Sequence, residues 1–196
     1  MAVTTKQLPL HHGDADLVAA LVGDYSLATI ASALRDHGWL DDAEVPWGRD
    51  ASAPHRPDGL QGRRMHLGHP PGHDAGSSIQ LPLALAWPAF GETEPDDDID
   101  VLDGDYPGLW QRSEAPDGSE FQAVYDAAVA LLAARLGPPD LVWIDADEPD
   151  AARLTAWHRD STSAYVELTD DINSYSHYDV VLMGVQSPPI TEDQLG

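Results

Sequence analysis

Hydrophobic and polar positions alternate most regularly between Ser78 and Trp87. Ile79, Leu81, Leu83, Leu85 and Trp87 take the odd positions, and Ser78, Gln80, Pro82, Ala84 and Ala86 the even ones. A period of two predicts a β-strand with one face against the core. Pro82 has no N–H to give a ladder, so the strand is expected at a sheet edge or with a bulge. Arg63–Leu67 is read as its antiparallel neighbour, joined through the overlong loop 69–76 (HPPGHDAG).

Upstream, the pattern is helical. Asp14 or Asp16 can cap a short first piece, and Ser26 a second over roughly 26–37, where Leu27, Ile30, Ala31 and Leu34 recur on one face. Gly38 supplies the stop, and Trp39 and Leu40 are expected to pack behind the helix. The strongest helical stripe is Phe121, Val124, Tyr125, Ala128, Leu131, Leu132 and Leu136. Ser119 and Gln122 stand at capping-box spacing before it, and Gly137-Pro138-Pro139 ends it.

The remainder reads as strands. Leu141–Ile144 is one. Leu154, Ala156 and His158 alternate with Thr155 and Trp157 in the next, before an Asp-Ser-Thr turn. Ala164, Val166 and Leu168 then alternate with Tyr165 and Glu167. The mostly apolar run 178–185 (YDVVLMGV) reads as a central strand. This order predicts an α+β fold, a mainly antiparallel sheet of about five to six strands with two main helices packed on one face. One continuous sheet is expected rather than two half-units. The expected organisation is a flexible N-terminal lead (1–13), a single domain (14–187) with long loops at 41–60 and 91–118, and a C-terminal tail (188–196).

Charge changes the picture more than composition does. The 196 residues carry 34 Asp and Glu against 10 Lys and Arg, a net charge of −24, and Lys6 is the sole lysine. Such a charge opposes direct binding to nucleic acid or anionic membranes and favours a basic partner or metal cations. A proteome-wide acidic bias or halophilic solvation would give the same composition. Cysteine is absent, which excludes disulfides, thiol nucleophiles and Cys-ligated metals. No signal peptide or membrane span is legible at the N-terminus, so a cytoplasmic location is expected.

The densest acidic run, Glu92 to Asp105, fails as an EF-hand calcium loop. Placing Gly104 at position six puts Ile99 and Val101 at ligand positions one and three, and Trp110 where the bidentate Glu belongs. As a protein-contact patch it is more coherent. Asp96, Asp97, Asp98, Asp100, Asp103 and Asp105 lead directly to Tyr106 and Trp110, and aromatic residues anchor many interfaces. A weaker constellation for a metal is His66, His69, His73 and Asp74, but its Pro- and Gly-rich segment is a loop without the Glu of a zinc-protease helix.

No Gly-x-Ser-x-Gly elbow, phosphate-binding glycine loop or basic stripe is present, so no catalytic residue and no cofactor is assigned. The segment His158–Ser161 reads as a hairpin turn, and His177 with Asp170, Asp171 and Asp179 as a polar loop between strands. The expectation is an acidic non-enzymatic binding protein, an inhibitor or immunity-type partner of a basic, nucleic-acid-acting protein. The alternative is a small hydrolase or metal-dependent enzyme with a His/Asp site.

Overall fold

The computed structural model describes residues 3–8, 10–40, 46–47, 65–87, 111–115, 119–145, 152–170 and 178–195. One antiparallel sheet organises them, with strands β1 (Val3–Gln7), β2 (His66–Leu67), β3 (Ser77–Trp87), β4 (Gln111–Ala115), β5 (Leu141–Ile144), β6 (Arg153–Arg159), β7 (Thr162–Asp170) and β8 (Asp179–Ser187). Their order is β4-β1-β3-β8-β7-β6-β5, and β2 pairs with β3. Three helices accompany them: α1 (His12–Leu21), α2 (Leu27–Asp36) and α3 (Ser119–Leu136). This is the expected α+β class. The six strands legible from periodicity are all present, in one continuous sheet with β8 at its middle.

Two strands lie where none was read. Val3–Gln7, taken from the sequence as part of a flexible lead, pairs with β3 on one side and β4 on the other. Gln111–Ala115, within a segment read as loop, is the outermost strand on that side. Both are short and polar, and their pairing depends on a neighbour rather than on an alternating pattern of their own. The tail also contains a 3-10 turn at Glu192–Gln194.

Pro82 explains the sheet's main irregularity. Pro82 stands opposite Leu182 and Ala84 opposite Val181, so Leu83 is an extra residue in β3. A bulge of this kind reverses the facing of every later side chain. Ile79, Leu81 and Leu83 join one core cluster, which then continues through Ala84 and Ala86, while Leu85 turns to the opposite face. The single-face reading of Ile79 to Trp87 is thus corrected after Leu83. The strand is bulged, as its proline required, but lies inside the sheet.

Each face has its own core. The buried apolar residues of all three helices, including Leu17, Ile30, Phe121 and Leu132, join the cluster containing Trp157, Val166, Val181 and Met183. The other face gathers Leu85, Leu154, Ala156, Tyr165, Tyr178, Val180, Leu182 and Ile190.

The helix ends follow their sequence signals. Ser26 Oγ accepts from Thr29 N–H at 3.2 Å, while Trp39 N–H donates to Leu34 O at 2.7 Å around Gly38 at φ +72°. Gly137 (φ +87°) ends α3, and its carbonyl accepts from Trp157 Nε1 at 2.8 Å. Arg159 Nη2 donates to Leu136 O at 2.6 Å. Side chains of β6 thereby satisfy carbonyls that the last helical turn leaves unpaired. Helix α1 departs from expectation: His11 precedes it without a side-chain cap, and Asp14 lies fully buried within its first turn.

Candidate functional site

The acidic patch expected at Asp96, Asp97, Asp98, Asp100, Asp103, Asp105, Tyr106 and Trp110 lies outside the described residues. The histidine constellation lies within them. His66 sits on β2 in register with Gln80, whereas His69 and His73 occupy the following turn. The two turn histidines stack, with ring centroids 3.9 Å apart and an interplanar angle of 11°. His73 Nδ1 accepts from Ala75 N–H at 3.1 Å, which occupies one of its two nitrogens in shaping the turn. Among the described residues, no group of three or more His, Asp or Glu side chains is placed to hold a metal ion. Stacked rings align side by side and do not converge their lone pairs on one point.

His69 and Asp74 nevertheless border one depression of about 400 Å³, together with Ser77, Ser78, Gln186, Ser187 and Gln194. Gly68 lies close over β3 here. A Cβ on it would come within 2.5 Å of Ser78 Oγ, and its N–H donates to Ser78 O at 2.9 Å. Trp47 Nε1 donates to Gly68 O at 2.6 Å and pins the turn from the other side. The lining is chiefly small and polar, suited to water or a small polar molecule.

A serine and a histidine do meet, on adjacent strands of the β6–β7 hairpin. His158 Nδ1 and Ser163 Oγ are 2.8 Å apart. Ser163 is fully buried, and its Oγ also accepts from Ile190 N–H at 2.9 Å. The hydroxyl therefore fastens the C-terminal segment to the hairpin and is closed to a substrate. Asp140 lies nearby, but its Oδ2 accepts from the His158 and Arg159 side of the turn: His158 N–H at 2.8 Å and Arg159 Nη1 at 3.3 Å. It does not orient the imidazole ring, so the three groups lack the geometry of a catalytic triad.

The second face of the sheet carries an acid that the sequence reading passed over. Glu167 stands in register between Leu154 on β6 and Leu182 on β8. Burial pushes its carboxyl up to about 7, because an apolar setting disfavours the ionised form. Beside it, Tyr165 reaches across β8 at Gly184, where a Cβ would stand 3.0 Å from the phenol oxygen. Gln80 Nε2 donates to that oxygen at 3.0 Å. Burial raises the Tyr165 phenol and pushes that of Tyr25, in the other core cluster, up to about 12. The only sequence signal for Glu167 was one acid inside the alternating run Tyr165–Leu168, and alternation alone assigns such a residue to solvent.

Comparison with protein-family models, curated proteins and solved structures finds no match to this chain. Among the described residues, no helix is long and apolar enough to cross a membrane.

Proposed function

We propose that this chain is an acidic binding protein that neutralises a basic protein partner, in the manner of an inhibitor or immunity protein. One observation carries the reading: a net charge of −24 on a fold whose described arginines include two that are engaged with the protein itself. Arg135 donates through Nε to Asp16 at 2.6 Å, and through Nη1 and Nη2 to Leu131 O and His12 O. Arg159 is held by Asp140, His158 O and Leu136 O. These cations are directed to internal acceptors, which leaves a strongly negative field to steer a positively charged partner. A protein with a basic nucleic-acid cleft is the partner class such a field matches best, because carboxylates would compete there with phosphates.

The test is capture from a host extract on the immobilised chain at low salt, with proteins identified by mass spectrometry and assayed for nuclease activity with and without the chain. Retention of a basic protein that salt releases, and whose activity the chain suppresses, supports the reading. Retention of no basic protein overturns it. Charge reversal across residues 96–105 then tests the patch expected from the sequence: full retention by that variant would rule the patch out.

A further inference from the structure

Strand β5 ends the sheet, and among the described residues it pairs only with β6. Its two outward-facing apolar side chains are unusually open: Val142 is 60% and Ile144 51% exposed. Leu141 and Trp143, the intervening residues, belong to the core of the second face. The ladder also settles where the backbone points. Asp145 N–H donates to Ala152 O at 3.0 Å. In an antiparallel pair, alternate residues bond to the same neighbour, so Leu141 and Trp143 face β6 while Val142 and Ile144 turn N–H and C=O to the free edge. Among the described residues nothing pairs with those main-chain groups, and the same two residues add exposed apolar side chains.

Edges of this kind are templates for another strand, and proteins guard them with charge. Here the guards are acidic. Asp140 and Asp145 bracket β5; Asp140 already holds Arg159 at 3.3 Å and Asp145 has an interaction within the fold, so the unmatched charge is that of the whole chain, −24. The cation opposite Ile144, Arg153, already has an interaction within the fold. A second copy of the chain is a poor occupant. Antiparallel pairing of two β5 edges would bring together two bodies of charge −24, and their repulsion opposes it.

We infer that the free edge of β5 receives an extended segment of a basic protein by strand addition. Apolar residues of that segment cover Val142 and Ile144, and its Arg or Lys residues complement the chain's net charge of −24. The inference rests on the basic-partner reading and moves its contact surface from residues 96–110 to β5.

A capped peptide of alternating Val and Arg is the probe, titrated at low salt into the nitrogen-15-labelled chain. Two further peptides carry N-methyl groups on all Val amides or on all Arg amides. Strand addition uses one edge of the peptide, so one methylated form should bind like the parent and the other about tenfold more weakly. The Val142 and Ile144 amide signals should shift and exchange more slowly with solvent. The double variant Val142→Lys, Ile144→Lys should lose the peptide while melting like the parent protein, since both positions are exposed. Equal binding of both methylated forms, or shifts confined to other residues, would overturn strand addition and leave the charge reading standing. If neither this peptide nor a Gly–Arg peptide of equal charge binds, the charge reading falls as well.

Discussion

Glu167 shows how one side chain can set a pH dependence. Its carboxyl is raised from the usual 4.5 to about 7 by burial. The folded state therefore holds a proton that the unfolded chain gives up at lower pH. The associated stability is complete below about pH 4.5 and is lost as pH rises through about 7. The side chain is partly exposed, and residual hydration limits the loss to on the order of 1–3 kcal/mol. Glu167→Gln should stabilise the protein at pH 8 by that amount and flatten the slope between pH 5 and 7, read by urea unfolding at several pH values. An unchanged slope would show that the carboxyl titrates as if in water. Gly184 makes a steric prediction. An added Cβ would stand 2.6 Å from Ile79 O and 3.0 Å from the Tyr165 ring, and the backbone oxygen cannot step aside. Gly184→Ala should cost about 1–3 kcal/mol. Tyr165→Phe, which keeps the ring and removes the Gln80 hydrogen bond, should cost about 1 kcal/mol, and Tm measurements on the pair would separate the two effects.

At the scale of elements, α2 depends on a local cap and α3 on distant partners. Ser26→Ala removes the acceptor for Thr29 N–H and should destabilise by about 1 kcal/mol, whereas Ser26→Gly should cost only a few tenths. Equal losses for the two would show that the serine hydroxyl is not the stabilising group. Helix α3 ends on bonds supplied by Trp157 and Arg159, residues about twenty positions later in the chain. Arg159→Ala should therefore loosen the helix end and the β6–β7 turn together, since the same guanidinium reaches Asp140 and His158 O. Hydrogen exchange should show faster exchange at both places. A change at only one would mean that Arg159 does not couple them.

For the whole molecule, charge is the governing term. A net −24 repels itself more strongly in the compact state than in the expanded chain. Salt should therefore raise Tm, steeply at low ionic strength and less once screening is complete. The same salt should weaken capture of a basic partner, so the two curves should run in opposite directions. Thermal melts and binding titrations across one salt series would check this. A Tm that falls with salt would place internal ion pairs such as Arg135–Asp16 above global repulsion.

Much of this architecture was legible because periodicity records which face of an element meets a core. The stripe from Phe121 to Leu132 buried as its spacing required, and the alternation in β7 divided Ala164, Val166 and Leu168 from Tyr165 as read. The charge, the absence of cysteine and the caps at Ser26, Gly38 and Gly137 were likewise fixed by residue identity. Tertiary structure alone decided the rest. A single extra residue at Leu83 reversed the facing of Leu85, an effect set by pairing with β8 rather than by the strand's own pattern. Val3–Gln7 became a strand because β3 and β4 supplied its partners. Glu167 became a half-buried acid because both faces of the sheet carry a core, and Val142 and Ile144 became open because β5 fell at the edge. A sequence specifies which faces are apolar; neighbours in space decide which of them are covered.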